Sequence, residues 1–245
     1  MLFGMKKRMK PNYNLATTAA YETLIYNNMP LPIDPFKIKI QNTKMKILSM
    51  QEFSKKFNAP IEEMTQNGLC NEGYNIVEIK NGVRRATILY NEDIISNERK
   101  RFTIAHEIGH IVLGHKQHSI NNEKEADTFA SQLLLPHCVL EQLVKLGKSI
   151  TETYLKDKFG LSNEAAHISK LHVGKKIDAN AVNDLEDIIL TMYKDFIDTE
   201  TYNTKYRYYE EDEEMETVRN SWYWFHLFIT YWFQNYLLFL YDIPF

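Results

Sequence analysis

Three ionisable residues, His106, Glu107 and His110, lie within five positions of an otherwise apolar segment. On a helix, residues four apart share a face, so the two imidazoles can bind one metal ion while the carboxylate lies beside it. Ionisable groups in an apolar helix are costly unless a metal or hydrogen bonds satisfy them, which argues against a chance match. This H-E-x-x-H spacing predicts a zinc site at which Glu107 is the general base for hydrolysis of a peptide bond.

Such a zinc site needs a third protein ligand, and the downstream sequence offers two glutamates. Glu123 is favoured, because it shares a helical face with Asp127, which could then orient a histidine ligand or be an ordinary solvated carboxylate. Glu125 is the alternative third ligand and would point about 160° away around the same helix. His115 lies one residue short of the spacing of a third histidine ligand and is interpreted as a helix-end residue that interacts with terminal carbonyls.

Two linked motifs surround these residues. Residues 99–110 read R-K-R-F-T-I-A-H-E-I-G-H, and residues 123–136 read E-K-E-A-D-T-F-A-S-Q-L-L-L-P. Both stretches resemble the ImmA/IrrE metallo-endopeptidases, and two linked motifs in this order are more specific than a histidine pair alone. More weakly, the resemblance covers about residues 12–174.

The resemblance to this family implies a ligand set, a reaction and a kind of substrate. It implies zinc binding by His106, His110 and Glu123, with Glu107 as the catalytic base. Members of the family typically act on, or alongside, helix-turn-helix repressors of prophages, integrative elements and stress genes. The implied partner is therefore a protein substrate of this repressor type.

The elements that must position these residues follow from local patterns. Asn81-Gly82 separates two strand-like segments, 74–80 and 83–90, and favours a two-residue hairpin turn. Helices are predicted at 15–27, 50–58, 98–115, 123–135 and 179–196, and strands within 36–50. Residues 140–171 are predicted to be helical as well, with a helix-turn-helix-like break at 160–162. The predicted fold is α+β: a small antiparallel sheet packed on the zinc helix and its neighbour, followed by a helical C-terminal region.

Composition and charge limit the protein's environment and partners. A net charge of -3 indicates no nucleic-acid-binding surface across the whole molecule. Cys70 and Cys138 lie far apart without C-x-x-C spacing, which favours a reducing cytoplasm over a disulfide framework. Pro11 and Asn12 follow the basic start where a signal peptide would need apolar residues, so the cytoplasm is the predicted location.

Three parts are predicted along the chain. Residues 12–138 form a zincin-like metallopeptidase domain, residues 139–176 a helix-turn-helix-like segment, and residues 177–245 a helical, aromatic-rich extension with an acidic linker. In residues 139–176, acidic residues offset the positive charge of the lysines, so packing or partner docking is favoured over direct DNA binding.

The C-terminal extension contains an uncharged segment, residues 221–241, with all three tryptophans. Its length suits a bilayer span, but its central polar and aromatic residues also suit a buried helix or an oligomer interface. Membrane association and homo-oligomerisation through it both stay open. Two functions therefore compete with the repressor-cleaving endopeptidase: a toxin or defence effector protease that uses this segment, and a non-catalytic zinc-binding regulator.

Overall fold

The computed structural model describes residues 10–61, 72–94, 96–172 and 183–202. The strands are β1 (Thr43–Ser49), β2 (Gly73–Lys80) and β3 (Val83–Tyr90). The helices are α1 (Tyr13–Asn27), α2 (Met50–Phe57), α3 (Asn97–Leu113), α4 (Ile120–Leu134), α5 (His137–Lys145), α6 (Glu152–Phe159), α7 (Asn163–His172) and α8 (Asn183–Met192), with a 3-10 helix at Pro35–Lys37. These elements lie in the first of two compact units, 1–197 and 198–245. The predicted α+β class is confirmed, whereas the three-part division stays a prediction.

The three strands form a mixed sheet in the order β1-β3-β2. The predicted hairpin is confirmed: β2 and β3 pair antiparallel, and Asn81 and Gly82 have φ angles of 54° and 72°, as a type I′ turn requires. β1 instead pairs with β3 in parallel, with Thr43 opposite Arg84. The expectation of an antiparallel sheet is corrected for this pair. The alternation of apolar and polar residues within β1 does not indicate whether a neighbouring strand runs parallel or antiparallel to it. The actual neighbour, β3, follows in the chain only after α2 and β2.

Helix α3 is central to the first unit. It packs against β2 and β3 of the sheet and against α1 and α4. Its residues Ile104, Ile108 and Ile111 are at most 1% exposed, and burial of each contributes about 1.5–3 kcal/mol. The helix that carries the H-E-x-x-H residues is therefore fixed on several sides.

The ends of α3 and α4 are set by capping residues. The Ser96 hydroxyl accepts a backbone N–H from the first turn of α3. Gly114 ends α3 with a φ of 69°, and its N–H reaches carbonyls of the last turn. Ser119 caps α4 in the same way as Ser96 caps α3. The connection between the two helices is thereby limited to residues 114–119, which keeps them neighbours.

Arg101 joins α3 to two segments that are distant in sequence. Its Nη1 donates to the carbonyls of Phe159 and Gly160 at 3.1 and 2.6 Å, and its Nη2 donates to the carbonyl of Ile33 at 2.7 Å. Gly160 has a φ of 64°, and a Cβ there would overlap the guanidinium. The planar fork of arginine fits these carbonyls in a way that a single ammonium cannot.

The segments 210–214 and 221–241, to which the sequence assigns an acidic linker and an apolar helix, lie outside the described residues. Among the helices that the structure does describe, none combines the length and the apolar character needed to cross a bilayer.

We expect Arg101→Lys to lower the free energy of unfolding by about 2 kcal/mol, because it leaves partly buried carbonyls without a donor. The matched control is Arg99→Lys on the same helix, whose side chain is 53% exposed and pairs with Glu72 at 2.7 Å. That change should alter stability by less than about 1 kcal/mol. Urea unfolding followed by circular dichroism measures the free energy of unfolding of both variants. Equal losses would contradict a specific stabilising role for the hydrogen bonds of Arg101.

Candidate metal centre

Helices α3 and α4 approach each other closely at Gly109. A Cβ at this position would lie 3.0 Å from Cδ1 of Phe129 on α4, so the glycine permits a spacing that alanine would strain. His106 and His110 flank Gly109 on α3, and Glu123 lies in the first turn of α4. The close approach therefore brings side chains of the two helices into contact.

Three of these side chains converge on one small volume. Glu123 Oε2 lies 3.3 Å from His106 Nε2, and Glu123 Oε1 lies 3.5 Å from His110 Nε2. The two Nε2 atoms are 2.9 Å apart. One ligand atom from each residue lies within 4.8 Å of the others. The structure thus brings together the three residues that the sequence predicts as metal ligands.

The geometry and chemistry of this donor set fit a tetrahedral metal ion. Ligand atoms about 2.0–2.2 Å from zinc at tetrahedral angles lie roughly 3.3 Å from one another. The two histidine–glutamate separations, 3.3 and 3.5 Å, agree with that value, and the histidine–histidine separation of 2.9 Å is slightly shorter. Two imidazoles and one carboxylate form a set typical of catalytic zinc, in which a fourth position is left for water.

Asp127 contacts His106 at Nδ1, the ring nitrogen that does not face Glu123. Its Oδ1 is 2.9 Å from His106 Nδ1, although the Asp127 side chain is 56% exposed. An ionised carboxylate only accepts hydrogen bonds, so a neutral His106 donates from Nδ1 and carries its lone pair on Nε2. That lone pair faces His110 Nε2, and the contact requires a proton or a cation between the two nitrogens.

The surroundings shift the pKa values of the two imidazoles in opposite directions. Burial lowers the pKa of His106, but the Asp127 hydrogen bond and the charge of Glu107 outweigh it, so the pKa is raised. Burial, and then the charge of His106, lowers the pKa of His110 to about 4. His110 therefore favours its neutral form, in which one ring nitrogen keeps a lone pair for a metal ion.

Glu125, the alternative third ligand, contacts different residues from those that Glu123 contacts. Its Oε1 accepts the backbone N–H of Asn12 at 2.7 Å, and its Oε2 lies 3.1 Å from His115 Nε2. His115 Nδ1 in turn lies 2.9 Å from His110 Nδ1. The interpretation of His115 as a helix-end residue bonded to terminal carbonyls is therefore corrected. Its imidazole lies between a candidate ligand and a buried carboxylate.

Glu107 is buried beside this cluster. Its residue exposure is 4%, and burial raises the pKa of its carboxyl group, while a hydrogen bond from Asn75 lowers it. Asn75 Nδ2 donates to Glu107 Oε2 at 2.6 Å. Strand β2 reaches this close because Gly73 has no side chain: a Cβ there would lie 2.6 Å from Thr103 Cγ2. A carboxylate in this setting can accept a proton and retain it.

Two polar side chains of the site were missed by the sequence patterns. Asn75 reaches Glu107 only because the hairpin packs on α3, and no local pattern reports that contact. His118 Nδ1 lies 3.0 Å from Glu123 Oε1, with a side chain that is 61% exposed. The signal for His118 was available, since it is a further histidine in the short connection between the two motifs.

Two helix-borne histidines, a glutamate from the next helix and a buried glutamate beside them are the arrangement of the H-E-x-x-H class of metal sites. Within that class, residues 55–169 match the peptidase family Peptidase_M78, described as the IrrE N-terminal-like domain. The match confirms the resemblance for these residues, and the matched segment includes the complete cluster of His106, His110 and Glu123. No curated protein matches the chain.

We expect Glu123→Gln to weaken Zn²⁺ binding by more than about 100-fold, because an amide is a poorer ligand than a carboxylate and loses its charge. The matched control is Glu141→Gln on α5, where the carboxylate lies 3.2 Å from His137 Nδ1. Competition with a chromophoric chelator measures the affinity. Equal affinities of the native protein and Glu123→Gln would remove Glu123 from the ligand set.

Proposed function

We propose that the protein is a zinc-dependent endopeptidase. The observation that carries this proposal is the cluster of His106, His110 and Glu123 with the buried carboxylate of Glu107 next to it. The match of residues 55–169 to a peptidase family supports the same reaction class. The three clustered residues would hold the ion, and zinc bound there would supply a Lewis acid that polarises the scissile carbonyl and lowers the pKa of water.

Glu107 is the proposed proton carrier. Burial raises the pKa of its carboxyl group, so it can take a proton from the attacking water and return it to the leaving amine. Asn75 donates to Oε2 and fixes the plane of the carboxylate, so proton transfer falls to Oε1. Asn75 is therefore a positioning residue in the proposed reaction.

The proposed substrate is a protein, namely a transcriptional repressor of the helix-turn-helix type. Its support is the resemblance of residues 99–110 and 123–136 to the ImmA/IrrE endopeptidases, which act on or alongside such repressors. Cleavage would release transcription from the repressor, and the enzyme would act in the cytoplasm.

We expect Glu107→Gln to bind zinc like the native protein while cleavage falls by about 10²–10⁴-fold, because the general base is lost and the ligands are kept. Mass-spectrometric comparison of peptides from cells that contain the native protein, Glu107→Gln or the control Glu141→Gln identifies the cleaved protein. If Glu107→Gln retains zinc and the full biological effect, the protein is a non-catalytic zinc-binding regulator. If the cleaved protein is not a repressor, the effector function is favoured.

We expect Asn75→Leu to lower kcat by about tenfold to a hundredfold, less than Glu107→Gln does, with a smaller change in KM. The physical reason is that the Glu107 carboxylate loses the hydrogen bond from Asn75 but is still present as the general base. Val77→Leu on the same strand, where the side chain is 43% exposed, controls for disturbance of the hairpin. Steady-state kinetics on the identified substrate measures both variants, and a loss confined to KM would contradict the positioning role.

A further inference from the structure

A chain of polar groups connects the candidate ligand His110 with the beginning of α1. It runs from the backbone N–H of Asn12 through Glu125 and His115 to His110, with successive separations of 2.7, 3.1 and 2.9 Å. The side chains of His115 and Glu125 are 8% and 4% exposed. Water therefore competes little for the hydrogen bond between His115 and Glu125, and these two side chains depend on protein partners.

The direction of each hydrogen bond follows from the two carboxylate oxygens of Glu125, which act as acceptors. An ionised carboxylate can only accept, so His115 donates from Nε2. A neutral imidazole has one N–H, and His115 Nδ1 therefore carries a lone pair that accepts from His110 Nδ1. His110 must then hold its own lone pair on Nε2, the nitrogen that faces His106 and Glu123.

We propose that His115 and Glu125 are positioning residues that lock His110 in the tautomer able to bind a metal ion. The inference rests on the proposed zinc site and adds a buried orienting pair to it. Asp127 fixes the tautomer of His106 directly, but at a 56% exposed side chain. The His115–Glu125 pair does the same for His110 through one intermediate ring, away from water.

We expect replacement of Glu125 by glutamine to reverse the donor and acceptor roles in the hydrogen bonds between residue 125, His115 and His110. Glutamate offers two accepting oxygens, one for Asn12 and one for His115, whereas glutamine offers only one. When the amide oxygen accepts from Asn12, the amide NH₂ faces His115 Nε2, which then has to accept. His115 then donates from Nδ1 to His110 Nδ1, so His110 carries its proton on Nε2 and loses the lone pair for the metal.

The first test compares Zn²⁺ affinity in the full chain. Glu125→Gln should bind zinc about 10- to 100-fold more weakly than the native protein. Glu141→Gln removes a carboxylate from another histidine, His137, and should bind zinc normally. If the native protein binds zinc and Glu125→Gln binds it equally well, the orienting role is overturned while the zinc site stands. If the native protein binds no zinc, the proposed function fails together with this inference.

The second test uses only the native protein and so does not depend on whether a variant folds. In the zinc-loaded protein with ¹⁵N-labelled histidine, we expect a nitrogen–nitrogen coupling across the hydrogen bond between Nδ1 of His110 and Nδ1 of His115. We also expect a proton on His115 Nε2. His115→Phe, which keeps a ring of similar size, should abolish the coupling. A zinc-loaded native protein with no such coupling, or with the His115 proton on Nδ1, overturns the inference.

Discussion

Two imidazole nitrogens that each carry a lone pair cannot lie 2.9 Å apart unless a proton or a cation lies between them, and His106 and His110 are held at this distance. Much of the structure around them maintains this constraint. The absence of a side chain at Gly109 lets α4 approach, and the short connection at 114–119 keeps α4 in place. Asp127 then fixes which nitrogen of His106 faces inward.

The buried carboxylates around this pair are satisfied largely by neutral donors. Glu107 accepts from the amide of Asn75, and Glu125 accepts from the backbone of Asn12 and from His115. A buried carboxylate without such donors would draw a proton onto a nearby histidine, because an unpaired charge is costly in an apolar setting. Neutral donors therefore help to keep the inward-facing nitrogens available for a metal ion.

The sequence predicts those parts of the metal centre in which the residues lie on one helix at helical spacing. Four-residue spacing places His106 and His110 on one face of α3, and the same rule separates Glu123 from Glu125 on α4. The parallel pairing of β1 with β3 and the contact of Asn75 with Glu107 depend on packing between distant segments. Spacing alone does not report such contacts, so neither was predicted.

His115 illustrates a different limit of sequence patterns. Spacing correctly shows that it misses the position of a third histidine ligand in the same helix, and its closeness to the helix end suggested a simple capping role. Its actual partners are His110 and Glu125, and a proton assignment along that pair requires both distances and burial. The role follows from which atoms can donate, a property that a list of residue types does not contain.

The unit that supports the centre is larger than the segment that matches the peptidase family. Residues 55–169 contain the candidate ligands, but the donor to Glu125 Oε1 is Asn12, and α1 buries Ala16, Ala20 and Leu24 in the same core. Arg101 likewise bonds to the carbonyl of Ile33, before the matched segment. The tautomer of His110 is therefore coupled to the docking of α1. A chain that began at residue 55 would keep the ligands and lose part of what orients them.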